Sequence, residues 1–169
     1  MADVLFITPY EITSTTIIGG DVDVDKYLPF VKETQLTTIQ SLLGTELYDK
    51  ILSDVENDTL TGLYLTMFNH YIKPITKYQS VASYILESPL TIGNGGLFTR
   101  TYQGVQSVDY KEVERISQIY SSKAQPYIMQ FDKWIKLNVN NIPEYKINQD
   151  EVNAQTNINL NNGWYFGDK

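Results

Sequence analysis

No cysteine occurs in the 169 residues, and histidine occurs once, as His70. The first absence excludes disulfides, thiolate chemistry and cysteine-type zinc sites, and it fits a reducing cytoplasm. The second excludes a histidine-based metal cluster or a His–His dyad. No run approaches the ~20 apolar residues that a membrane helix needs. The opening MADVLFITPYE has no basic segment before its short apolar stretch, so it does not read as a signal peptide. Lysine and arginine are scattered, which argues against tight nucleic-acid binding through displaced counterions. The glycine-rich GNGG at 93–96 lacks a following Lys–Ser/Thr and is no phosphate loop. No serine stands in a G-x-S-x-G context. The run DVDVD at 21–25 looks like the start of a calcium loop, but Lys26 and Lys32 occupy the positions that need glycine and glutamate. Helix capping explains those aspartates better. Glu112 and Glu114 fall on different helix faces. The sequence therefore offers no catalytic residues, no metal site and no cofactor, and is read as a non-enzyme.

What is present is a chain with 42% hydrophobic residues, long enough for one core. Its charge is uneven. Residues 1–60 hold 11 acids against 3 bases, whereas residues 61–140 hold 5 acids against 8 bases. An acidic front and a mildly basic middle suit either plain solubility or contact between successive copies.

Apolar periodicity predicts a mainly α fold: a bundle of four to five helices with an inserted β-hairpin or extended glycine-rich loop and an extended C-terminal tail. Thr8, Pro9 and Glu11 form a helix-start signal with a capping box. The segment 21–44 reads as the first long helix, with Val24, Leu28, Val31, Gln35, Ile39 and Leu42 on its inner face. Pro29 should then lie near its first turn. Gly44 is a structural hinge that stops this helix, and Thr45 can cap the next, whose inner face is Leu47, Ile51, Leu52 and Val55. The stretch 57–89 reads as a central helix that Pro74, a second hinge, should kink or split and Pro89 should end. Asp109 and Glu112 suggest a capping box for a last helix to Asn138, with Val113, Ile116, Tyr120, Ala124, Tyr127, Phe131 and Ile135 buried and a bend at Pro126. Residues 138–162 contain nine asparagines. The domain is accordingly drawn at 1–138, with an inserted loop at 88–108, and an extended arm at 139–169.

The order of these elements resembles the head–tail connector (adaptor) family of tailed bacteriophages, in particular variants from Bacteroidetes, crAss-like, phages. The resemblance is carried by DVDKYLPFVKETQLTTIQSLLGTELYDKI, NHYIKPITKYQSVASYILESP, IGNGGLFTR, ERISQIYSSKAQPYIMQFDKWIKLN and NIPEYK, over roughly residues 5–146. It implies a structural virion protein of the neck, assembled in the host bacterial cytoplasm as a homo-oligomeric ring that follows the portal's twelvefold symmetry. Such a ring binds the portal above and a downstream neck or tail protein below. Double-stranded DNA passes through its channel without specific binding. No membrane and no cofactor are involved.

Two segments are assigned to assembly. Gly93, Asn94, Gly95, Gly96, Leu97, Phe98 and Arg100 form a loop expected to reach a neighbouring subunit, because glycine permits unusual dihedrals and the alternation permits strand pairing. Ile158, Leu160, Trp164, Tyr165 and Phe166 form an arm expected to bind the portal or, failing that, a neighbour. Three aromatics cannot by themselves offset the entropy of ordering so long a polar tail, which favours docking on a preassembled partner. Two other classes stay open: a generic helical interaction or regulatory module, and an enzyme that uses acidic residues with a bound metal.

Overall fold

Apolar residues at three- and four-residue spacing need helices to share one face, and the computed structural model builds them into rods around a mainly helical core. It describes residues 4–93, 96–99 and 109–145. Helix α1 (Pro9–Thr15) starts as expected: Glu11 N–H donates to Thr8 Oγ1, and Thr8 N–H donates to the Glu11 carboxylate at 2.9 Å. Helix α2 (Val24–Thr34) passes through a π-helical turn, Gln35–Ile39, into α3 (Gln40–Leu43). Gly44 ends that rod with φ 75°, a value that favours glycine. It also takes the N-cap position of α4 (Thr45–Glu56), which corrects the expectation that Thr45 caps. Pro29 lies inside α2, at its sixth residue and on the exposed side, beyond the first turn where it was expected.

Helix α5 (Gly62–Met67), a second π-helical turn Phe68–Ile72, and α6 (Lys73–Glu87) make the central rod. Pro74 does not split it. Lys73 N–H donates to the Phe68 carbonyl, so the turn just before the proline is one residue wider. That wider turn shifts the carbonyls that the proline ring would otherwise crowd. Strands β1 (Leu90–Gly93) and β2 (Gly96–Thr99) pair antiparallel, with Leu90 opposite Thr99 and Gly93 opposite Gly96. Helix α7 (Tyr110–Asn138) follows, then a 3-10 turn, Val139–Asn141. Asp109 caps α7 through its backbone carbonyl alone, because Glu112 turns to Arg115 instead; the expected capping box is absent.

Helices α6 and α7 pack antiparallel: Ser117 Oγ donates to the Ala82 carbonyl at 2.9 Å, whereas the earlier Tyr78 meets the later Tyr127 at 5.9 Å. Helix α2 packs on α6 as well, and Tyr27 and Val31 of α2 share a core cluster with Val81 and Tyr120. One half of the core gathers Phe6, Leu43, Leu47, Ile72, Phe131 and Ile135; the other gathers Ile12, Ile18, Tyr27, Val31, Val81 and Tyr120. Tyr78 touches both.

The arm does not begin at 139. Ile142 and Tyr145 are 0% and 4% exposed, and the Tyr145 ring meets Phe131 edge-on at 6.4 Å. Tyr64 Oη donates to Glu144 at 2.7 Å and pins this exit to α5. The helical domain therefore runs at least to Tyr145.

Candidate interaction surface

Helix α7 is 29 residues, about 43 Å, long enough to run the length of the domain. Its buried seam is Val113, Ser117, Tyr120, Ala124, Ile128, Phe131 and Ile135. Beside that seam stand columns at seven-residue spacing, which share one face of a helix. Tyr120, Tyr127 and Trp134 form the first column, at the edge of the core. There they meet the central rod: Tyr78 lies 5.9 Å from Tyr127 and 6.4 Å from Tyr120, and Tyr71 lies 5.7 Å from Trp134. Lysines crown this aromatic strip. Lys77 Nζ sits 4.8 Å from the Tyr78 ring centre and Lys123 Nζ 4.4 Å from that of Tyr120, within cation–π range.

The next columns face solvent, yet they are not simply polar. Ile119 is 41% exposed, Met129 60% and Leu137 85%. A shallow groove of about 550 Å³ runs between Arg115, Gln118, Ile119, Ser122, Lys123 and Pro126. Arg115 is held by Glu112, its Nε donating at 2.8 Å, and this exposed pair lowers the Glu112 carboxyl below its ordinary range. The flank thus combines half-exposed tyrosine and tryptophan, exposed aliphatic groups and basic side chains. Aromatic and arginine enrichment with adjacent apolar area is the composition of protein-binding patches rather than of a bare solvated face.

Of the residues that the sequence singles out, Gly44 and Pro74 lie inside the fold as the hinge and the start of α6. Gly93, Gly96, Leu97 and Phe98 lie on the two short strands. Asn94, Gly95, Arg100, Ile158, Leu160, Trp164, Tyr165 and Phe166 lie outside the described residues. The α7 flank was passed over in the sequence because apolar residues on two sides of a helix read as one broad buried face. Its signal was present: Ile119 and Pro126 are seven residues apart, out of phase with the seam. His70 is exposed, its ring 6.4 Å from that of Tyr71, as an edge histidine rather than a site. Among the described residues no group of three or more metal-ligating side chains converges, and no helix is long and apolar enough to cross a membrane.

No curated protein and no solved structure is matched by the chain. Residues 39–154, most of its length and including all of α7, match a family described only as one of unknown function, and on that match the chain belongs to DUF6712.

Proposed function

We propose that this protein is a head–tail connector adaptor: a structural protein whose copies form a ring beneath the portal of a tailed phage, extend the DNA channel and seat a downstream neck or tail protein. The observation that carries the reading is α7, a rod buried on one side and both apolar and basic on the other. A helix that spans the domain and leaves such a flank uncovered is suited to side-by-side association. The element order supports it too, since the hinged helical pair, the proline-bearing central helix, the glycine-centred turn and the long last helix stand in the sequence of the connector family. The role needs no catalytic residues. The acidic front of the chain is compatible with a passage that does not grip phosphate.

Electron cryomicroscopy of the full chain mixed with the portal of the same phage tests the reading. A ring of additional density below the portal is expected. A portal that stays bare at saturating concentrations of the chain would sink it.

A further inference from the structure

We propose that the α7 flank of one copy binds the outer face of α2 on the next copy, the basic–apolar–basic stripe Arg115–Ile119–Lys123 against the acidic–apolar–acidic stripe Asp25–Pro29–Glu33. This rests on the ring reading above and specifies its contact. Three observations carry it. The two stripes have the same i, i+4, i+8 spacing, so each places its like charges about 12 Å apart along the helix with an apolar residue between them. Their signs are opposite, and residues 25, 29 and 33 are exposed on α2 just as 115, 119 and 123 are exposed on α7. Finally, α2 and α7 each pack on α6 and barely touch one another, so the two stripes are separate faces of one molecule. A contact between two different faces is head-to-tail, and head-to-tail contacts close into rings when the rotation between copies is right.

The edges of the stripes extend the match. Leu36, 60% exposed on the π-helical turn after α2, continues the acidic stripe with an apolar residue. Pro126, exposed three residues after Lys123, does the same for α7. The Arg115–Glu112 pair does not stand in the way. Both side chains are solvent-exposed, and exposed pairs of this kind contribute little, so the guanidinium is exchangeable.

The chain has no cysteine, so introduced thiols report alone. The full chain carrying both Pro29→Cys and Ile119→Cys, concentrated and treated with a short bismaleimide, is expected to give a ladder of covalent multimers beyond the dimer. Each single variant alone should stay monomeric, and a mixture of the two singles should stop at the dimer. Arg115→Glu with Lys123→Glu, added to the double-cysteine chain, should remove at least nine-tenths of the ladder. Further addition of Asp25→Lys and Glu33→Lys should restore it. All six positions are exposed, and an unchanged helical circular dichroism spectrum checks that each variant is folded. An absent ladder overturns the proposal, as does self-linking by Ile119→Cys alone, which would mean a two-fold contact. A faster-migrating monomer linked within itself, or a ladder indifferent to charge reversal, overturns it as well. The portal experiment reports separately: portal rings without a ladder place the contact elsewhere, whereas a ladder without portal binding keeps the contact and removes the connector role.

Discussion

Gln35 shows how one side chain can fix a chain end. Its Oε1 accepts from Phe6 N–H at 2.9 Å and its Nε2 donates to the Val4 carbonyl at 3.1 Å, so the amide reads an extended segment as a partner strand would. Phe6 is thereby seated between Tyr48 and Phe68, with ring centres 5.5 and 5.4 Å away. Periodicity placed Gln35 on the inner face of its helix, but the reason a polar residue belongs there is not visible in the sequence. It lies in a contact 29 residues away, with a segment that has no period of its own. Replacing Gln35 by leucine leaves the buried Phe6 N–H and the part-buried Val4 carbonyl without this partner, each costing up to ~1–3 kcal/mol. Urea unfolding should report a loss of about 2–5 kcal/mol, larger than for Gln35→Glu, which keeps the acceptor for Phe6. Tyr27 is the opposite case. It is fully buried, its hydroxyl finds no hydrogen-bond partner among the described residues, and burial raises its pKa. Tyr27→Phe removes an unsatisfied group without opening a cavity, so the same measurement should show no loss, or a gain of up to ~1 kcal/mol.

At the level of elements, some helix ends were legible and others were not, since the caps expected at Thr45 and at Asp109–Glu112 do not form. The capping box at Thr8 and the stop at Pro89 are local signals with local causes, and both hold. The two π-helical turns have no such signature. Each inserts a residue into the helical count, so the inner face beyond the turn is rotated relative to the one before it. The C-terminus of α4 was also opaque. Thr59 N–H donates to the Asp54 carbonyl at 2.9 Å and Asp58 takes φ 55°, a left-handed stop made without glycine. Asp58→Gly should stabilise the domain by roughly 0.5–1 kcal/mol, read as a rise in thermal midpoint. The strap from α1 to α6 sets a pH response. Burial pushes the Glu11 carboxyl up, but hydrogen bonds from Lys73, at 2.8 Å, and from Thr8 outweigh it and leave the pKa below the ordinary 4.5. A carboxyl lowered in the fold adds stability that is complete above its unfolded pKa and is lost as pH falls through the folded one. The thermal midpoint of the native chain should therefore exceed that of Glu11→Gln at neutral pH, and the gap should close on acidification below about pH 4.5.

For the whole molecule, helix content and most of the inner faces of three rods could be read from spacing, because burial on one side of a helix writes a repeat into the sequence; Val24, expected inside, is exposed. The outer flank of α7 is harder to read, since exposed and buried apolar groups leave the same letters and only their phase against the seam separates them. The edge of the domain could not be read. Past Asn138 the repeat stops and asparagines begin, and a boundary at 139 follows from composition; yet Ile142 and Tyr145 return to the core between Phe131 and its neighbours. Single buried side chains after a turn carry no period, so only the packing reveals them. Two truncations separate the boundaries. Ending the chain after Asn138 exposes the sites of both residues and also removes the acceptor for Tyr64, whose hydroxyl is raised to about 12 first by burial and then by Glu144. At ~1.5–3 kcal/mol for each large apolar side chain, the cost is about 3–6 kcal/mol, a large share of the margin that keeps a domain folded. Ending it after Lys146 keeps Ile142, Glu144 and Tyr145, and should leave the urea midpoint within about 0.5 M of the full chain. The shorter piece should melt at least ~10 °C lower or fail to fold, because a domain of this length shifts by a few degrees per kcal/mol. Equal midpoints for the two truncations would return the boundary to 139 and remove Ile142 and Tyr145 from the core.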